Sequence, residues 1–426
     1  MRFLHAADLH LDTPVAKLRT YPDEVARVLR DASLDAFDRL VQTALDKRVA
    51  ACLFAGDVYD GADRGTRAQL RFRDGLQRLS DAGIRSFIVH GNHDPVTEGW
   101  TAVNRWPELV TIFGPGAVQS DTFEVDGLRV TIHGVSYATR DETENLALRF
   151  PTSVEPGVHI GLLHTQVGAR TDVRSYAPCT LDDLRRSPMD YWALGHVHRR
   201  ETLAGPSPWI AYPGNLQARR PSPFDAMPKG AVMVEVLPSG DVLEPAFVPL
   251  DVVRFALPEV SIDGLADIGE LLDRLQVIAD DLVRGADGRS VIVHPTLTGR
   301  GPLHHELARG TEELHTQLGG VDRQPFLWWD HFVVATRPDV DLERAAAADD
   351  LVGAVLRDLA SVTADDVASL LADLPSEAST AFAAGHIPGG SIESIGTAGA
   401  DGAELVDPIV RRSWILAHDA LVGGGS

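Results

Sequence analysis

Five short clusters of Asp, Asn and His follow apolar runs in the first half of the chain: Asp8-Leu9-His10, Gly56-Asp57-Val58-Tyr59-Asp60, Gly91-Asn92-His93-Asp94, His164-Thr165 and Gly195-His196-Val197-His198. Imidazole, carboxylate and amide oxygen without thiolate suit Mn²⁺, Fe or Zn²⁺ better than a structural zinc site. Residues i and i+2 leaving a strand point the same way, so Asp8 with His10, and His196 with His198, can each share an ion. Asp8, His10, Asp57, Asn92, His164, His196 and His198 are too many donors for one cation and suit two that share a carboxylate. Two cations about 3.5–4 Å apart can hold the attacking and leaving oxygens of an in-line phosphoryl displacement. That chemistry is hydrolysis of a phosphate ester. Taken singly, each cluster has a structural explanation, since Asp-x-His can cap a turn and Gly, Asn and Asp favour turns on conformational grounds. Their order, each behind an apolar strand, is what points to a site.

The elements that must position these clusters read as an α/β alternation over the first 200 residues. Strands are expected at Arg2 to Ala7, Ala50 to Ala55, Ser86 to His90, Val130 to His133, His159 to Leu163 and Tyr191 to Leu194. In an open α/β sheet, ligands bind at the carboxyl ends of the strands. Ser33 is a candidate N-cap for a helix with Leu34, Phe37, Leu40, Val41, Ala44 and Leu45 on one face. A second helix is expected from Thr66 to Asp81, ending at Gly83. Short strands and turns follow from Trp209 to Val253. A separate small α/β unit then offers a helix at Ile268 to Leu282, a strand at Ser290 to Leu297, a helix at Leu303 to Leu318 and a strand at His331 to Thr336. Beyond Pro338 the chain is Ala- and Asp-rich and helical through Leu351 to Leu374. A Gly- and Ser-rich stretch at about 385–402 reads as a flexible linker, and a last helix is expected from Pro408 to Leu421.

The ordered clusters resemble the calcineurin-like metallophosphoesterases, within them the SbcD-type DNA repair nucleases, and there the YhaO-like bacterial branch. The resemblance is carried by His5-Ala6-Ala7-Asp8-Leu9-His10-Leu11-Asp12, Ala55-Gly56-Asp57-Val58-Tyr59-Asp60-Gly61 and Gly91-Asn92-His93-Asp94. Gly161-Leu162-Leu163-His164-Thr165, Tyr176-Ala177-Pro178-Cys179, Asp190 to His198 and Tyr212-Pro213-Gly214-Asn215 add to it, and it reaches to about residue 255. It implies a four-layer αββα sandwich over 1–255, a small α/β capping domain over 256–338 that positions DNA, and a helical C-terminal region over 339–426 that binds a partner. It also implies one metal held by Asp8, His10 and His198, a second held by Asn92, His164 and His196, and Asp57 bridging both. His93 would be the histidine that is not a ligand and that protonates the leaving oxygen or stabilises charge on the phosphate. Asp60 occupies the position that orients this histidine in calcineurin-like phosphatases, where some nuclease relatives carry histidine. The implied activity is Mn²⁺-dependent DNA nuclease, with exonuclease against endonuclease left open, beside an SMC-like ATPase partner and with a homodimer as a common assembly.

Composition bounds these expectations. The formal net charge is −22, which argues against tight DNA binding by this chain alone, because phosphate contacts usually leave a basic patch. A metal pair can still supply local positive charge. The two cysteines, Cys52 and Cys179, build neither a disulfide framework nor a thiolate site. No apolar run is long enough to span a bilayer and no leader is evident, so a soluble, cytoplasmic protein without membrane contact is expected. His5, His90, His133 and His159 lie in or beside apolar strands and read as core or edge histidines, and Asp94 as a turn residue. Arg185-Arg186, Arg199-Arg200 and Arg219-Arg220 are candidate phosphate contacts. Trp328-Trp329 suits core packing, with base stacking as the functional alternative. Two rival functions remain: a calcineurin-like phosphodiesterase acting on nucleotides or small phosphodiesters, and a non-catalytic scaffold in an ATPase complex.

Overall fold

The computed structural model describes residues 1–13, 18–61, 65–97, 101–168, 176–319, 324–339 and 342–360. The chain forms two units, Met1–Gly299 with Glu306–Thr336, and Arg300–His305 with Arg337–Ser426. In chain order come β1 (Arg2–Ala6), α1 (Asp23–Lys47), β2 (Ala51–Ala55), α2 (Thr66–Asp81), β3 (Arg85–Val89), β4 (Val110–Ile112), β5 (Gln119–Val125), β6 (Leu128–Val135) and β7 (Val158–His164). Then follow α3 (Leu181–Arg186), β8 (Tyr191–Gly195), β9 (Glu201–Ala204), β10 (Trp209–Tyr212), β11 (Gly230–Glu235) and β12 (Ala246–Pro249).

These strands make two six-stranded sheets, ordered β12-β11-β1-β2-β3-β4 and β5-β6-β7-β8-β10-β9. The strands that precede the polar clusters run parallel within each sheet. They are apolar on both faces because both faces are covered. Phe3, Leu53 and Phe87 face Val130, Ile160 and Tyr191 between the sheets. The alternate residues Leu4, Phe54 and Ile88 meet Phe37, Leu40 and Phe72 of α1 and α2. On the outer face of the second sheet, Leu163, Trp192 and Leu194 pack with Leu146, Phe150 and Leu184. The layers are therefore helix, sheet, sheet, helix, the four-layer arrangement expected.

One expected boundary is corrected. Ser33 does not cap α1, which begins at Asp23 behind Pro22. Val25, Leu29 and Ala32 continue the buried stripe upstream, and Asp23 and Glu24 complement the helix dipole in the first turn. Ser33 instead lies mid-helix, where its Oγ accepts a hydrogen bond from Asp12 N at 3.0 Å. It thereby steadies the loop after β1.

Further along lie β13 (Val253–Ala256), β14 (Glu259–Ser261), α4 (Ile268–Gly285), β15 (Ser290–Val293), β16 (Thr296–Thr298), α5 (His304–Leu307), α6 (Glu312–Leu318), β17 (Leu327–Trp329) and β18 (Val333–Val334). They form two small parallel sheets, β13-β15-β17 and β14-β16-β18. The single strand expected from Ser290 to Leu297 is two, because Pro295 lacks the N–H that a ladder needs and the chain crosses there between sheets. The helix expected from Leu303 to Leu318 is broken around Gly310, which takes φ 154. The Trp pair forms part of β17, and the strand expected from His331 to Thr336 shrinks to Val333–Val334.

Fully buried Asp251 ties the sandwich to these small sheets. Its carboxylate pairs with Arg254 Nε at 2.9 Å and Arg289 Nε at 2.6 Å. Arg289 also donates to the carbonyls of Pro249 and Asp251 at 3.0 Å.

In the second unit, α7 (Leu342–Ala346) and α8 (Leu351–Ala360) are described. The remainder of the helix expected to Leu374, the 385–402 linker, the helix from Pro408 and the final Gly-Gly-Gly-Ser lie outside the described residues. No described helix is long and apolar enough to cross a membrane.

Candidate metal centre

The loops after β1, β2, β3 and β8, with the last residue of β7, converge where the carboxyl ends of both sheets meet. All seven expected donors come together there. His198 Nε2 lies 3.6 Å from Asp8 Oδ1 and 3.1 Å from His10 Nε2. His164 Nε2 lies 3.5 Å from Asp57 Oδ2 and 3.1 Å from Asn92 Oδ1, which is 3.2 Å from His196 Nδ1. Asp8 is common to two compact triads, one with His10 and His198 and one with Asp57 and His164, whose donor atoms lie within 4.8 Å of one another.

The local backbone shows why these residues sit so close. Asp8 (φ 50), His10 (φ 44), Asp57 (φ 53) and His196 (φ 108) all adopt left-handed conformations. Such conformations cost on the order of 1–3 kcal/mol each for residues with a side chain. They are held by bonds from loop to loop. Asp8 N and His10 N donate to the Gly56 and Asp57 carbonyls at 3.1 Å. His196 N donates to Asp8 Oδ2 at 3.0 Å, and His93 N to Asp57 Oδ1 at 2.8 Å. Asp94 is a turn residue, as expected: its carboxylate accepts from Gly91 N at 2.8 Å and Val58 N at 2.9 Å. Gly91 itself is required, since a Cβ there would run into Asp57 Oδ1 and the His164 imidazole.

The electrostatics fit bound cations. Asp8 and Asp57 are buried, and burial pushes both carboxyls up to about 7. Burial pushes the His10, His164 and His198 imidazoles down, His198 to about 3, so they are neutral at pH 7. His164 Nδ1 bonds the Ala55 carbonyl at 2.8 Å, so Nδ1 carries the proton and Nε2 turns its lone pair to Asp57 and Asn92. Among the described residues, Asp8 Oδ1 and His10 Nδ1 are buried without a hydrogen-bond partner. Buried carboxylates cost several kcal/mol to desolvate unless a positive charge compensates. A cluster of two buried carboxylates, neutral imidazoles and an orphaned oxygen is a donor set for divalent metal.

Beside the cluster, His93 Nδ1 lies 2.5 Å from Asp60 Oδ1, and Arg219 Nη2 donates to Asp60 Oδ2 at 2.5 Å. The His93 bond, opposed by burial and aided by Arg219, holds the Asp60 carboxyl well below its usual range. Burial alone would lower the His93 pKa, but the Asp60 bond and the charges of Asp57 and Asp60 outweigh it and raise it. A cavity of about 310 Å³ opens next to His93, lined also by Tyr176, His196, Arg199, Arg220 and Phe224.

Two residues support the site in roles that the sequence does not mark. Arg219 stood only as one of six candidate phosphate contacts, yet it clamps Asp60. Lys229, buried, donates to the His198 carbonyl at 3.0 Å and the Phe224 carbonyl at 2.8 Å, and pairs with Asp225 at 3.3 Å. Of the other arginines, Arg199 and Arg220 line the cavity. Arg200 lies over the Phe247 ring at 4.1 Å, and Arg185 pairs with Asp182 at 3.8 Å. His5 bonds Tyr191 Oη at 2.8 Å, and His133 bonds His159 at 3.0 Å, in keeping with their reading as core histidines.

Residues 1–200 match the calcineurin-like phosphoesterase family, and residues 255–337 match the middle domain of the metallophosphoesterase YhaO. The second match carries the likeness past residue 255, where the motifs of the first domain end. The metallophosphoesterase YhaO of Bacillus subtilis (strain 168) is 38% identical over 51% of this chain, a match that spans about half (54%) of that relative's length. The DNA double-strand break repair protein Mre11 of Aeropyrum pernix is 26% identical over 85% of this chain and 87% of its own. A dimetal phosphatase structure from Danio rerio is 15% identical, covering 58% of this chain and 98% of that one, with TM-score 0.35. The first 200 residues are therefore a calcineurin-like phosphoesterase domain, and residues 255–337 a YhaO-type middle domain.

Proposed function

We propose that this protein is a metal-dependent DNA nuclease that hydrolyses phosphodiester bonds at a two-metal centre. The observation that carries the reading is the convergence of the seven donors beside a His93 oriented by Asp60. In this reading Asp8, His10 and His198 would hold one ion and Asn92, His164 and His196 the other, with Asp57 as the residue that would serve both. Two divalent cations held there, Mn²⁺ in our proposal, would supply Lewis-acid charge and would lower the pKa of a water. The chain's own residues do the rest. Asp60 takes the Nδ1 proton of His93 as a hydrogen bond, which fixes the ring that lines the cavity and leaves Nε2 outside that bond. That nitrogen holds a proton for the leaving oxygen. Arg219 fixes the second Asp60 oxygen, and Lys229 anchors the carbonyl of His198.

A DNA substrate is supported by the likeness to a DNA double-strand break repair protein across most of both chains. The proposed organisation is a nuclease domain over 1–255, a DNA-positioning domain over 256–338 and a partner-binding region over 339–426. The partner would be an SMC-like ATPase of the cytoplasm, with a homodimer as the assembly. An ATPase partner would supply backbone affinity that a chain of net charge −22 lacks. The same charge favours a second reading, a phosphodiesterase of nucleotides or small diesters. Labelled single- and double-stranded DNA and, in parallel, bis(p-nitrophenyl) phosphate, each incubated with Mn²⁺ and the chain, decide between them. Cleavage of DNA, lost in His93→Ala, supports the nuclease; cleavage confined to small diesters supports the second reading.

A further inference from the structure

We infer that the cleft between the sandwich and the small parallel sheets is a nucleoside subsite, which takes one unpaired base and its sugar from the strand whose phosphate lies at the metal centre. The inference rests on the nuclease reading and deepens it. The cleft has a volume of about 710 Å³ and is lined by Tyr21, Arg219, Phe255, His294, Trp328 and Asp330 among others. That is the size of a pocket for a small organic ligand.

Its place follows from the chain. Arg220 lines both this cleft and the cavity beside His93. Its neighbour Arg219 lines the cleft while bonded to Asp60. A polyanionic strand leaving the metal centre on this side would thus pass two guanidinium groups before reaching the cleft.

Its chemistry is that of a base and sugar. Successive residues of a strand face opposite ways, and β17 uses this to split the Trp pair. Trp329 is buried and stacks on Phe332 at 5.8 Å, with the rings 17° apart. Trp328 is half-buried and lines the cleft beside Phe255. Trp328 also packs against the cluster of Phe255, Ile292 and Phe326, and it is the ring's remaining half-exposed surface that the cleft offers to a base. Stacking a base on an aromatic ring contributes about 1–3 kcal/mol. Across the cleft, Tyr21 Oη donates to Asp330 Oδ2 at 3.0 Å, and His294 Nε2 lies 2.5 Å from the same oxygen. This fixed polar edge offers donors and acceptors to a base or a sugar hydroxyl.

Two measurements on the full chain test the subsite. In the first, a short single-stranded oligonucleotide ending in 5-iododeoxyuridine is irradiated with the protein in Ca²⁺, and the adduct is mapped by mass spectrometry. The expected adduct lies on Trp328 or Tyr21. Adducts only elsewhere overturn the inference, whatever the enzyme's activity. In the second, thymidine 5′-(p-nitrophenyl) phosphate and bis(p-nitrophenyl) phosphate are compared in Mn²⁺. Trp328→Ala is expected to lower the preference in kcat/KM for the nucleoside ester about tenfold, within the range for one stacked base, and Trp328→Phe to restore most of it. An equal loss on both esters means that Trp328 is merely structural and overturns the subsite while the phosphodiesterase stands. A wild-type chain that cleaves neither ester overturns the phosphodiesterase reading itself.

Discussion

Replacing Asp60 by Asn tests how much of the rate depends on the orientation of His93. The wild-type carboxylate accepts His93 Nδ1 at 2.5 Å on one oxygen and Arg219 Nη2 at 2.5 Å on the other, with only about a fifth (21%) of its side chain exposed. Asparagine keeps the shape, but it removes the charge and presents an NH₂ to one of two groups that both donate. A hydrogen bond to a charged group contributes about 1.5–3 kcal/mol. If that is expressed fully in the transition state, kcat falls roughly 10- to 150-fold. Arg219→Gln removes only the outer support and should cost less, on the order of tenfold. The assay is steady-state hydrolysis of bis(p-nitrophenyl) phosphate in saturating Mn²⁺, with kcat separated from KM and the fold checked by circular dichroism. Because burial and the acidic neighbours leave the His93 pKa raised in balance, the proton is lost only as pH climbs through that raised value. The alkaline limb of kcat should therefore move to lower pH in Asp60→Asn. A folded Asp60→Asn enzyme with kcat within twofold of wild type and an unmoved limb would refute the reasoning.

Gly91→Ala should weaken Mn²⁺ binding at least about tenfold by isothermal titration, because the new Cβ displaces Asp57 and His164, and perturbed ligand positioning typically costs about 10–100-fold; unchanged affinity would contradict the geometry. Asp251→Ala leaves Arg254 and Arg289 without their shared buried carboxylate. Breaking such a pair costs about 3–5 kcal/mol, so the melting temperature should fall on the order of 10 °C; a fall of a degree or two would show the cluster to be solvated. The Asp57 carboxyl is raised by burial to about 7 from 3.8, so its contribution to stability is present at acid pH and is lost as pH rises through the folded value. At pH 8 in chelator, Asp57→Asn should accordingly melt higher than wild type, and in Mn²⁺ the order should reverse. An Asn variant that melts lower in both conditions would contradict a site built to be compensated by cations.

The site was more legible in the sequence than the structure that supports it. Asp8 with His10, Asn92 with His93, and His196 with His198 are local pairs behind apolar strands, so the strand direction alone brings each pair to the sheet ends. Arg219 and Lys229 reach the same place from a proline-rich segment with no period, where nothing local marks a residue's direction. The start of α1 is poorly marked in the sequence, because Ser33 has the chemistry of a cap while the buried Val25, Leu29 and Ala32 that extend the helix are spread among charged residues. The split of the strand at Pro295 has a local signal in the sequence, the missing N–H. The Trp328-Trp329 pair leaves packing and stacking both open, and in β17 Trp329 is buried while Trp328 both packs on the core and lines the cleft.

The most direct test of the two-metal account is to add Mn²⁺ stepwise to the metal-free chain while counting bound ions and following cleavage of a labelled DNA strand. The account predicts two ions per chain, a rate that rises as the second is taken up, and loss of both the second ion and the activity in Asp57→Ala. Full activity with a single bound ion, or cleavage undiminished in Asp57→Ala, would contradict it.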